Sequence, residues 1–171
     1  SLKPVFKKDG TVTAANASSI NDGGAALVLM SADRAKAEGK TVLARIAGYA
    51  TAARKPVEFT IAPADAINKL LARTKLSTSD VDLWEINEAF AVVAIANNQI
   101  LKLDPSKVNI RGGATSLGHP IGASGARVLI TLLQAMKDTG KKRGVASLCI
   151  GGGEGIALMV ERSFAMIIGI P

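Results

Sequence analysis

Residues 144–162, GVASLCIGGGEGIALMVER, restrict what this chain can fold into more than any other stretch. Two runs of strand length, 144–150 and 155–162, are separated by Gly151, Gly152 and Gly153, a spacing that predicts an antiparallel hairpin. The rest of the chain has to supply the strands and helices that complete such a sheet. GAALVLMS, 24–31, is a continuous apolar run read as a strand needing cover on both faces, and ADRAKAEG after it reads as a short helix closed by Gly39. TVLARIAGYATA, 41–52, is rich in strand formers. APADAINKLLART, 62–74, predicts a helix with Pro63 in its first turn and Ala66, Ile67, Leu70 and Leu71 along one stripe.

STSDVDLWEIN predicts a loop and then a strand ending at Asn87. Glu88 to Leu101 reads as a helix apolar almost all round, hence buried on most sides. A further helix, about 121–138, carries Val128, Ile130, Leu132, Leu133 and Met136, with Gly140 as its stop. The opening SLKPVFKKDGTVTAANASSINDGG mixes turn formers with few periodic apolars and predicts an ordered loop. Together these elements predict an α/β fold, layered, with a mixed sheet closed by the hairpin and helices buried against it. A hydrophobic content of 48% supports a well-buried interior, and 17 glycines with only 4% aromatics point to closely spaced backbones.

Composition excludes several classes. The 21 basic and 14 acidic residues give a formal charge of +7, but the basic side chains are dispersed apart from short clusters such as Lys141-Lys142-Arg143. No nucleic-acid motif accompanies them, so a solvated face and no nucleic-acid partner are expected. One cysteine and one histidine permit neither an internal disulfide nor a tetrahedral Cys/His zinc site, and no metal is expected. The chain reads as intracellular, without a signal peptide, and FAMIIGI at 164–170 is too short to span a bilayer, so no membrane partner is expected. GGGEG lacks the dinucleotide fingerprint, and there is no G-K-[ST].

Three polar positions carry the chemistry. His119 lies between Gly118 and Pro120 in a loop that feeds a helix, where Gly122 and Gly125 would let another backbone approach. It reads equally as a loop histidine held by a hydrogen bond or as a site. Cys149 ends a strand before the triple glycine, either as an inert buried thiol or as a thiolate beside exposed amides. Asn87 ends a strand before a helix, either as a helix cap or as part of a site. All three fall at strand ends or loops next to a helix start or glycine turn, on what can be one edge of a sheet.

NASSINDGGAALVLMS, WEINEAFA, GGATSLGHPIGASGAR and CIGGGEGIA, in that order, resemble the C-terminal half of thiolases. His119 lies 32 positions after Asn87 and 30 before Cys149, as in that family. The resemblance implies a thiolase-like layered fold, one half of a duplicated arrangement. Residues 1–19 would close the loop domain, 20–41 supply the last strand and helix of the N-terminal domain, 42–163 form the C-terminal domain and 164–171 a tail. The implied reaction is reversible Claisen condensation of two acetyl-CoA to acetoacetyl-CoA and CoA, or thiolysis in reverse.

The resemblance also assigns roles. His119 would be the base that activates a nucleophilic cysteine and helps bind a thioester oxygen, and Cys149 the group that removes or returns the α-proton. Asn87 would hold a water completing one oxyanion hole, and the Gly151 amide would contribute to the other. Ser18 and Phe90 would line the channel for the pantetheine of coenzyme A. Coenzyme A thioesters enter as substrates, with no bound cofactor expected. A single histidine separates the chain from ketoacyl synthases, which use two, and NEAF separates it from thiolases carrying HEAF or HDCF. GASGAR and CIGGG resemble the short-chain, acetoacetyl-CoA type, while Ala15, where many relatives have Gly, and Glu154, where Met or Gln is common, depart from the pattern.

The one cysteine is already matched to the proton-shuttling position, so the acyl-accepting cysteine is expected from an N-terminal half outside this chain, and the chain alone is expected to be inactive. A dimer or tetramer in the cytoplasm, or in mitochondria, is the family expectation. The alternative is a noncatalytic truncated half that only contacts coenzyme A or dimerises.

Overall fold

The computed structural model describes residues 2–162, so the expected tail at 164–171 lies outside the described residues. A four-stranded sheet runs in the order β1-β4-β3-β2, with β1 at Arg45–Ala53, β2 at Leu83–Ile86, β3 at Arg143–Cys149 and β4 at Glu154–Glu161. β3 and β4 form the antiparallel hairpin expected from the triple glycine, β1 adds to β4 antiparallel, and β2 lies parallel to β3 with Ile86 opposite Ser147. The sheet is therefore mixed, as expected.

Side chains alternate across the sheet and divide the core into two layers. One layer packs helix α2 (Ala62–Thr74), through Ala66, Ile67, Leu70 and Leu71, onto Ala50, Trp84, Ile86, Val145, Ala157 and Met159. The opposite layer packs α5 (Ser124–Asp138), through Val128, Leu132, Ala135 and Met136, onto Leu83, Ala146 and Val160. Each fully buried Leu or Ile contributes roughly 1.5–3 kcal/mol, so both helices are held mainly by these stripes. Close approach is enforced by missing side chains. A Cβ on Gly144 would meet the Met136 sulfur at 2.6 Å, and one on Gly155 would meet the Ala62 carbonyl carbon at 2.5 Å.

Helix α2 occupies the residues its apolar stripe predicts, ending at Lys75 in the left-handed region. Other expectations need correction. Residues 24–31 form no strand, and Val28 is 87% and Leu29 71% exposed. Their composition suits a strand, but a strand exists only with a ladder partner, and none is present among the described residues. The helix after Ser31, α1, covers Ala32–Ala37.

Helix α3 begins at Ala91 rather than Glu88 and runs to Leu101. It is not buried on most sides: Val93, Asn97 and Leu101 face inward while Val92, Ile95 and Ile100 are exposed. A short helix α4, Ala114–Leu117, was not anticipated, and α5 starts at Ser124 rather than near 121 because residues 121–123 form a turn after Pro120. No described helix is long and apolar enough to cross a membrane.

Candidate active site

The parallel pair β2 and β3 ends with Asn87 and Cys149 on neighbouring strands. The Asn87 amide donates to the Ser147 carbonyl at 2.9 Å, which continues the β2/β3 ladder one residue past Ile86 and sets Asn87 beside the end of β3. Asn109, itself left-handed at φ 50°, clamps the outer side of the same strand end. Its Oδ1 accepts from the Ile86 amide at 2.8 Å and its Nδ2 donates to the Ile86 carbonyl at 2.9 Å. A side-chain amide thus stands in for a missing neighbouring strand.

Loop 16–21 ties the other two segments to this end of the sheet. Ser18 donates from its backbone amide and its hydroxyl to the Ala89 carbonyl, at 3.0 and 2.9 Å, and the Ala91 amide donates to Asn16. The His119 amide donates to the Ser19 carbonyl at 2.9 Å. Gly118 is at φ 94°, and a Cβ there would strike the Asn21 side chain, so this glycine is required both by conformation and by space. Gly122 and Gly125, expected to admit another backbone, instead have nothing within 4 Å of a would-be Cβ. Phe90 stacks edge-on between Phe6 and Phe59, with ring centroids at 5.8 and 6.1 Å.

The His119 ring is half-buried and bonded at both nitrogens. Nδ1 lies 2.6 Å from Ser124 Oγ, and that hydroxyl donates its one proton to the Pro120 carbonyl at 3.0 Å. The hydroxyl therefore accepts from Nδ1–H, leaving Nε2 bare. Asn87 Nδ2 faces Nε2 at 3.3 Å and donates to it. Burial, and secondarily the positive charge of Arg127, lower the His119 pKa, so the imidazole is held neutral at neutral pH. A neutral imidazole whose Nε2 carries no proton, and is met only by the long 3.3 Å contact from Asn87, is suited to taking one.

Asn87 is not a helix cap: α3 starts after Phe90, whose side chain makes no capping bond, and the Asn87 side chain faces His119 and Arg127, with one Nδ2 hydrogen left over. Cys149 is placed by strand register, opposite Gly155, and packs partly buried against the α2 layer. Burial pushes its thiol up to about 11, so it is held protonated at neutral pH. In the following turn the Ile150 and Gly153 amides bond within the hairpin, while Gly151 lies exposed at the tip. Asn87 and His119 thus touch, Ser18 and Phe90 join the same cluster through loop 87–91, and Cys149 with Gly151 lies on the adjacent strand end.

Sequence reasoning missed Ser124, Arg127, Asn109 and Glu85. Ser124 had a faint signal as the one hydroxyl in GASGAR, one helical turn past Pro120. Glu85 is an ionisable residue in the middle of β2, 3% exposed on the α5 side of the sheet. Desolvation raises its pKa to about 7, opposed by Arg127 and reinforced by Glu88. A group whose folded pKa is raised contributes least once it must ionise: stability is retained below the ordinary 4.5 and is lost as pH rises through about 7. Glu85→Gln is therefore expected to stabilise the chain at pH 8 by roughly 2–3 kcal/mol and to be neutral at pH 4. Urea titrations at both pH values check this; equal midpoint shifts would remove the linkage. No group of three or more His, Cys, Asp or Glu among the described residues is placed to hold a metal ion.

Comparison with known proteins adds the following. Residues 40–162 match the family described as "Thiolase, C-terminal domain", and residues 1–33 match "Thiolase, N-terminal domain". Acetyl-CoA acetyltransferase 2 of Arabidopsis thaliana is 57% identical over 161 residues, covering 94% of this chain and 40% of that protein. Acetyl-CoA acetyltransferase of Cupriavidus necator is 56% identical, covering 94% of this chain and 41% of its own length. The crystal structure of the Bacillus anthracis acetyl-CoA acetyltransferase superposes with a TM-score of 0.91 at 52% identity, over 94% of this chain and 41% of that one. Human mitochondrial 3-ketoacyl-CoA thiolase in complex with CoA gives 0.87 at 43% identity, over 95% and 41%. The chain thus spans about two fifths of the length of the relatives it matches.

Proposed function

Because the chain belongs to the thiolase family, we propose that it is the C-terminal part of an acetyl-CoA C-acetyltransferase, contributing the proton-transfer half of the site to a reversible Claisen reaction. The observation that carries this reading is the contact between Asn87 and the bare Nε2 of His119 at the carboxyl ends of the parallel strands β2 and β3, beside Cys149. Brought together with a cysteine from upstream, His119 takes the thiol proton at Nε2. The thiolate then attacks the β-carbonyl of acetoacetyl-CoA. The carbon–carbon bond breaks, an acetyl group stays on the cysteine, and the enolate of acetyl-CoA receives its α-proton from the Cys149 thiol. The coenzyme A thiol then gives its proton to the Cys149 thiolate and its sulfur takes the acetyl group, while the departing cysteine recovers its proton from His119. Condensation is the same sequence reversed.

Each charge that develops has a nearby donor in this reading. Asn87 holds a water, and His119 carries a proton on Nε2 once the cysteine has given it up, so both face one developing oxyanion; the exposed Gly151 amide faces the other. Ser18 and Phe90 line the entry for pantetheine, with Ser18 still able to accept a hydrogen bond because its own proton is spent on Ala89. The reading needs no further cofactor. The exposed segment 24–31 adds a strand to the upstream half, and the complete enzyme is a dimer or tetramer.

The test is a chimera in which the matched residues of this chain replace those of the bacterial acetyl-CoA acetyltransferase. Cleavage of acetoacetyl-CoA by coenzyme A is expected within about tenfold of the parent, with none from the chain alone. A folded chimera that binds coenzyme A but does not turn over would favour the noncatalytic reading instead.

A further inference from the structure

Arg127 lies on α5 one turn after Ser124, half-buried, with its guanidinium against Asn87 just past the end of β2. It donates to Asn87 Oδ1 at 3.4 Å and to Thr131 Oγ1 at 3.3 Å, while its Nε is buried without a partner. The ionisable groups it faces are Glu85 from β2 and His119 from the loop before α5, with Glu88 acting on Glu85 from beyond the strand end. A guanidinium can only donate. Whatever amide oxygen meets it is turned toward α5, and the amide nitrogen is turned the other way. For Asn87 the other way is His119 Nε2, 3.3 Å from Nδ2. An amide donor at Nε2 requires that nitrogen to be bare, and Ser124, its proton spent on Pro120, independently requires the ring proton at Nδ1. Both sides of the imidazole thus specify one tautomer, and on the Asn87 side this depends on which way the amide is turned.

We propose that Arg127 is a positioning residue: it fixes the orientation of the Asn87 amide and so keeps Nε2 of His119 unprotonated and facing the site. This rests on reading His119 as the base. A planar fork is needed to hold an amide oxygen and the Thr131 hydroxyl at once, which an ammonium group does not reproduce.

His119 is the one histidine of the chain, so long-range proton–nitrogen correlation on the labelled chain reads a single imidazole. The unsubstituted chain is expected to show the Nδ1–H tautomer and a slowly exchanging Asn87 side-chain amide. Arg127→Met should speed that amide exchange and shift the tautomer ratio toward Nε2–H on the order of tenfold, the worth of one hydrogen bond. Arg127→Lys should restore the charge yet leave the amide as free as in Arg127→Met. A merely structural role would change the melting temperature and not this ratio. An Nε2–H tautomer in the unsubstituted chain overturns the proposal, and does so even if Arg127→Met fails to fold. So do unchanged resonances in a folded Arg127→Met, or an Arg127→Lys variant that behaves as the unsubstituted chain. None of these readings requires turnover, so an inactive chimera with the tautomer intact would count against the base assignment alone.

Discussion

In the chimera, His119→Ala is expected to lower kcat/KM for acetoacetyl-CoA cleavage by about a thousandfold or more and to leave no acylated enzyme, whereas Cys149→Ala still acylates and loses only the carbon–carbon step. The two residues separate because the structure gives them opposite protonation. His119 is neutral with Nε2 bare, ready to accept a proton before the first covalent bond forms. Cys149 is a thiol pushed up to about 11 by burial, ready to give a proton only when an enolate appears. Trapping with labelled acetyl-CoA distinguishes them. If both variants acylate at the parent rate, His119 is not the base and the site has been read in the wrong order.

A pH profile carries the same sign. Since burial and Arg127 lower the His119 pKa, the base form persists below the ordinary 6.5, and the acid limb of the rate should lie on the acidic side of that value. Removing the positive charge at position 127 should move the limb back toward it.

What could be read directly from sequence was whatever depends on neighbours along the chain. Helix α2 was legible to the residue because its apolar spacing and Pro63 act within one segment. The β3/β4 hairpin was legible because three glycines between two apolar runs admit little else. Local sequence gave Cys149 and His119 as candidates but left His119 equally a loop residue and read Cys149 first as an inert buried thiol; their family spacing turned both toward a site. What escaped depends on who faces whom across the fold. Residues 24–31 have the composition of a strand and lack the partner that makes one. Asn109 and Ser124 look like ordinary polar residues until Ile86 and His119 are set against them. Arg127, three positions past the start of α5, gains its meaning only from the amide oxygen it meets.

Gly155→Ala is expected to destabilise the chain by about 3 kcal/mol or more, a size that point substitutions reach only through a named steric or burial fault. Gly155 pairs with Cys149 on one side and Ala52 on the other, at the site end of β4. A methyl group there would lie 2.5 Å from both the carbon and the oxygen of the Ala62 carbonyl and 2.9 Å from Pro63 N. The obstacle is backbone at the first turn of α2, and it cannot retreat. Ala62 is itself fully buried, and Ala66, Ile67 and Leu70 anchor the rest of the helix in the core. Either α2 lifts from the sheet or β4 bends away from β3, and the second route removes the Gly155 pairing that places Cys149. Stability and proton transfer should therefore fail together in this variant. Gly125→Ala supplies the contrast: nothing lies within 4 Å of its Cβ and it sits in the first turn of α5, so it should be neutral or stabilise by about 0.5–1 kcal/mol. Urea midpoints for the two variants check the pair. A Gly155→Ala chain as stable as the parent would mean that α2 is not seated this closely on β4, and the placement of Cys149 by strand register would fall with it.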